Sequence, residues 1–246
     1  YSIAINPDDE EALLNTANGM FSLGEYEEAL TYYHRFNNLH RDDETGDVLI
    51  GITLINLDRP EEALVHLKKA EEKAVEGAVN LAEIYQEMAF ALSRLGRVKE
   101  ALTHVDKAIA TEMGNKDELT VLKGHIELEN GNPFAAQEFF LEAVRDSNSP
   151  SNVYFRIAVS VYDNGYMQLA YKMFHTLFQS APTDWKDGYS HMALCCKLIN
   201  KKDEYLHYLK KACKLNPIEA KNVLGEYFPK GLEPENYYNY IIKNKS

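Results

Sequence analysis

Apolar positions recur along this chain with a helical period, and one short phrase punctuates that pattern again and again. LGEYEEAL (23–30), LDRPEEAL (57–64), LGRVKEAL (95–102), NGNPFAAQ (130–137) and NGYMQLAY (164–171) begin 34, 38, 35 and 34 residues apart. A fainter copy, INKKDEYL (199–206), starts 35 residues further on. In each copy an apolar-periodic stretch ends at a Gly or Asn, where left-handed backbone is tolerated. A second helix then begins, with Pro60 and Pro133 near its first turn, where a missing N–H does no harm. Three residues into that helix comes a small side chain (Ala29, Ala63, Ala101, Ala136, Ala170), which lets two helix backbones approach closely. Asn-Pro or a similar stop closes the unit at Pro7, Pro182 and Pro217. A period in this range marks a stacked helical-repeat architecture.

The pattern resembles the tetratricopeptide repeat family, which places a small residue at motif position 8, Gly at 15, a Tyr-like residue at 17, Ala at 20, a small residue at 27 and Pro at 32. Position 8 is filled by Ala17, Gly51, Ala89, Gly124, Ala158 and Ala193. Position 15 is Gly24, Asp58, Gly96, Gly131, Gly165 and Asn200, and position 27 is Phe36, Ala70, Ala108, Ala143, Leu177 and Ala212. Departures are modest: Tyr205 stands for Ala at position 20 of the sixth unit, and Phe36 and Leu177 stand for small residues. The resemblance implies an all-α fold, an α–α superhelix of antiparallel helix pairs forming one elongated domain over 1–246. Residues 1–9 fit the end of a preceding repeat, and the repeats run 10–43, 44–81, 82–116, 117–150, 151–185 and 186–217, with about four extra residues near 74–79. Residues 218–228 fit one more first helix. The segment to 246, with Tyr237, Tyr238, Tyr240, Ile241 and Ile242, fits a capping helix, because terminal repeats need their apolar face covered. Those tyrosines also suit a docking element for another chain.

Composition and charge then narrow the function. A hydrophobic share of 45% is enough to exclude whole-chain disorder. No apolar run nears the roughly 18–20 residues that span a bilayer, so direct membrane insertion is not expected. The 26 basic against 38 acidic residues give −12, which argues against nucleic acid as partner. Residues 201–246 hold nine Lys and six Asp or Glu, so that end is +3 and the rest −15. Cys195, Cys196 and Cys213 form no CxxC and are expected as buried thiols in a reducing, cytoplasmic setting. Tyr1–Pro7 reads as the last turn of an earlier helix, which points to a longer parent protein.

Chemistry finds little purchase. His66 and His104 share motif position 23, and His34 and His175 share position 25, which suits packing better than a metal; no zinc spacing occurs. No calcium loop, GxSxG or Gly-rich phosphate loop is present, so no catalytic, cofactor or metal site is expected.

The remaining candidate is a surface. The family resemblance implies that the first helix of each unit lines a groove, with positions 5 and 9 facing inward. These are Leu14 and Asn18, Val48 and Ile52, Gln86 and Phe90, Val121 and His125, Phe155 and Val159, Ser190 and Leu194. Residues four apart share a helix face. The row is apolar and lacks the lysines of the carboxylate clamp found in co-chaperones of this family, leaving only Asn18 and Arg156 as isolated matches. A peptide strand or the apolar face of a helix suits it, with Phe90 and Phe155 as anchors. The same side chains would also suit packing against neighbouring helices or against the C-terminal segment. A non-enzymatic binding scaffold is therefore the expectation, with a regulatory or recruiting arm of an enzyme or membrane-associated protein, or a client-binding chaperone, as alternatives.

Overall fold

The computed structural model describes residues 9–74, 81–111, 115–180, 188–224 and 236. The readings for Tyr1–Pro7, for most of the extra residues near 74–79, for Pro182 and for the tyrosine-rich end fall outside them. The described residues form thirteen helices and no strand. They are α1 (Glu10–Ser22), α2 (Tyr26–Leu39), α3 (Thr45–Asn56), α4 (Pro60–Lys73), α5 (Leu81–Arg94), α6 (Val98–Ala110), α7 (Lys116–Glu129), α8 (Pro133–Asp146), α9 (Pro150–Asp163), α10 (Met167–Ser180), α11 (Gly188–Leu198), α12 (Lys202–Leu215) and α13 (Pro217–Val223).

Each helix pair is joined by the same turn. At motif position 15 the backbone turns left-handed in all six units, at Gly24, Gly96, Gly131 and Gly165 and also at Asp58 (φ 58°) and Asn200 (φ 63°). Two hydrogen bonds recur at every turn. In the third unit Gly96 N–H donates to Ser93 O (2.8 Å) and Arg97 N–H to Leu92 O (2.9 Å); in the sixth, Asn200 donates to Lys197 O and Lys201 to Cys196 O. This is the Schellman closure, which satisfies carbonyls that a helix end otherwise leaves open. Helix starts are fixed as locally: the Asp9 carboxylate accepts from Ala12 N–H at 2.7 Å, Asn115 caps α7, and Pro60 and Pro150 open α4 and α9.

By packing, the chain divides into two compact units, Tyr1–Ala136 and Gln137–Ser246. In the N-terminal unit α1 packs on α2, α3 on α4 and α5 on α6, and each second helix packs on the next first helix. The alanines at position 20 are fully buried, as the close approach of paired helices requires. At Gly51 a Cβ would come within 2.7 Å of the Leu67 side chain, so glycine there lets α3 lie against α4. Ile50, Leu54, Leu67, Ile84, Val105 and Ile126 form the continuous core of this unit.

In the C-terminal unit α9 packs on α10, α10 on α11, α11 on α12 and α12 on α13. Its core is aromatic. The Phe174 ring meets Phe155 edge-on at 6.0 Å, and Phe178 stacks on Tyr189 at 4.8 Å. The thiols of Cys195, Cys196 and Cys213 are free and buried, as expected.

Candidate functional site

In both units the first helices of successive pairs also touch one another: α3 with α5 and α5 with α7 in one, α9 with α11 and α11 with α13 in the other. That contact sets the positions 5 and 9 of neighbouring helices side by side. In the N-terminal unit Ile52, Gln86, Phe90 and Leu14 are half-buried along this face. Phe90 and His125 occupy the same position one pair apart, and their rings meet edge-on at 6.3 Å. Val48 and Val121 turn into the core instead, and Asn18, though exposed, accepts a 2.7 Å hydrogen bond from the Tyr33 hydroxyl.

The C-terminal unit treats its residues differently. Ser190 and Leu194 are buried, while Phe155 and Val159 are half-buried. A Cβ at Gly188 would sit 2.8 Å from the Phe155 ring, so this ring is wedged between α9, α10 and α11 as well as facing outward. Arg156 is exposed on the same helix.

Two ionisable features were not singled out from sequence. Asp47, 2% exposed, sits at motif position 4, where the other units carry Leu13, Tyr85, Thr120, Tyr154 and Tyr189. That uncharged company was the available signal. Its carboxylate accepts from Lys73 Nζ at 2.6 Å, from His66 Nδ1 at 2.7 Å and from Asn37 Nδ2 at 3.2 Å. Burial alone would raise its pKa; the bonds and charges of Lys73 and His66 outweigh that and hold it below the usual carboxylate range. His66 in turn meets the His34 ring edge-on at 5.6 Å. Register comparison aligned each histidine with its equivalent and so did not foresee a contact between positions 23 and 25.

The second feature is Glu87, one helical turn from Glu83 on α5. Its pKa is pushed up to about 7, first by burial and then by the Glu83 charge. Among the described residues no group of His, Cys, Asp and Glu is arranged to hold a metal ion, and no helix is long and apolar enough to cross a membrane.

No protein-family model matches the chain, and no curated protein matches it. Solved structures do. The chain is similar to PilF of Pseudomonas aeruginosa (16% identity, TM-score 0.51, covering 88% of this chain and 97% of that one). It is also similar to PilW, a type IV pilus biogenesis factor (16%, 0.53, 87% and 98%). A third match is the C-terminal part of a TPR repeat-containing protein from Cytophaga hutchinsonii (15%, 0.50, 94% and 89%). At these identities the likeness establishes a shared fold.

Proposed function

We propose that this chain, which folds as a tetratricopeptide-repeat solenoid, is a non-enzymatic scaffold that binds a protein partner on its first-helix face. The observation that carries the reading is the pair of half-buried apolar side chains Ile52 and Phe90 on the contacting helices α3 and α5, with Leu14 half-buried at motif position 5 of α1. Half-buried side chains on fixed helices still have apolar area to lose to a guest. Little entropy is spent on ordering such a face, so a larger part of the contact energy appears as affinity. An apolar strand or the apolar side of a helix matches this chemistry. Phe155 and Val159 extend the same reading to the C-terminal unit, where Phe155 also carries packing.

The test is affinity capture from native lysate with the full chain as bait and three variants beside it. Ile52→Glu and Phe90→Glu place charge on the proposed face; Val65→Glu places it on the exposed side of α4 as a control. Circular dichroism first establishes that all variants keep wild-type helicity and melting. Partners held by wild type and Val65→Glu but lost from both face variants would support the reading. Equal capture by all four proteins overturns it.

A further inference from the structure

We propose that the first-helix face of the N-terminal unit takes a basic amphipathic segment of its partner, with apolar side chains on Ile52 and Phe90 and a Lys or Arg at Glu83 and Glu87. The inference rests on the scaffold reading and adds the chemistry of the guest.

Charge is distributed unequally between the units. Residues 1–136 hold 12 Lys or Arg against 26 Asp or Glu, a net −14, whereas residues 137–246 hold 14 against 12, a net +2. On α5 the spacing of Glu83, Glu87 and Phe90 puts a carboxyl pair and the aromatic ring on successive turns of one face. Glu83 is exposed and Glu87 half-buried, and among the described residues neither pairs with a basic side chain.

The bases nearby are committed elsewhere. Lys107 reaches Glu71 at 3.4 Å and lies over the Tyr85 ring at 4.9 Å, Arg94 turns to Asp58 at 3.5 Å, and Lys123 binds Asp106 at 2.5 Å. On the flanking first helices, α3 offers only Asp47, already bound to Lys73 and His66, while α7 brings Lys116, Asp117 and Glu118 in its first turn and His125 against Phe90. A guest cation would thus meet two carboxyls that pair with no basic side chain among the described residues. Burial and the Glu83 charge raise the pKa of Glu87, and a cation held beside it would draw the carboxyl back towards ionisation. A purely apolar guest would cover Glu87 without compensating it, which burial of a charge penalises. Complementary charge of this kind also steers encounter.

The test uses the full chain and three synthetic 16-residue amphipathic helices with one Leu/Phe face, flanked by Lys, by Gln or by Glu. Affinity is read by fluorescence anisotropy at low and high salt. Expected is tighter binding of the Lys peptide, weakened by salt. In Glu83→Gln/Glu87→Gln the Lys peptide should lose about tenfold, while the Gln peptide is unchanged. Calorimetry at pH 7 in two buffers of different ionisation enthalpy should show release of about half a proton per Lys peptide bound, absent in Glu87→Gln.

Equal binding of Lys and Gln peptides overturns the basic preference and leaves the scaffold reading to the capture experiment. Lys-peptide binding untouched by the double variant, or no binding of any peptide, overturns the inference as well.

Discussion

Replacing Asp47 by Asn tests the most concentrated electrostatic arrangement in the molecule. The substitution keeps the shape and removes the charge that Lys73 and His66 share. A charge-assisted hydrogen bond is worth about 1.5–3 kcal/mol, and stranding one member of a buried ion pair costs about 3–5 kcal/mol. Lys73, however, is 22% exposed and also bonds the Asp43 carbonyl at 3.1 Å, so its ammonium can turn towards water. The expected loss at pH 7 is therefore nearer about 2 kcal/mol. The pH dependence has a definite sign. Asp47 titrates lower folded than unfolded, so its contribution is complete above the unfolded value near ~4 and fades as pH falls through the folded one. Urea unfolding of wild type and Asp47→Asn, followed by circular dichroism, should show the full gap from pH 5 to 7 and convergence on acidification below about pH 4. A double-mutant cycle with Lys73→Met should return a coupling of at least ~1 kcal/mol. Equal stability at pH 7, or a gap that persists undiminished in acid, refutes the argument.

Glu87 has the opposite sign: with its folded pKa at about 7 the native state keeps a proton that the unfolded chain releases near ~4.5, so stability drains away as pH rises across that window. Glu87→Gln should match wild type at pH 4 and exceed it by about 1–3 kcal/mol at pH 8, measured by denaturant titration at both values. Asp58 adopts φ 58° with its carboxylate largely in water, so Asp58→Gly should stabilise by about 0.5–1 kcal/mol. Gly96→Ala should cost about 1 kcal/mol through the backbone alone, since nothing lies within 4 Å of the added Cβ; both follow from thermal melts. Burial pushes the Cys195 and Cys196 thiols up to about 12, and Cys213 is equally buried. The three thiols should resist a thiol-specific reagent at pH 8 and react together only in denaturant, a stoichiometry that absorbance reads directly.

Repeat number, helix pairing and hairpin register were legible in the sequence because each is written within about ten residues. A small side chain at position 8 or 20 and a left-handed turn at position 15 act on their own helix and its immediate partner. Even Asp58 and Asn200, which are not glycine, keep the turn, because the two turn hydrogen bonds are local. Tertiary packing decided what the inward-facing positions became. Val48 and Phe90 occupy neighbouring slots of the same register, yet one is buried in the core and the other stands half-open beside His125. The Asp47 cluster joins residues 10, 19 and 26 positions away, and the raised pKa of Glu87 comes first from burial and then from the Glu83 charge. Periodicity carries no information about which side chain reaches across to which, because that depends on rotamer, helix rotation and the size of the neighbour.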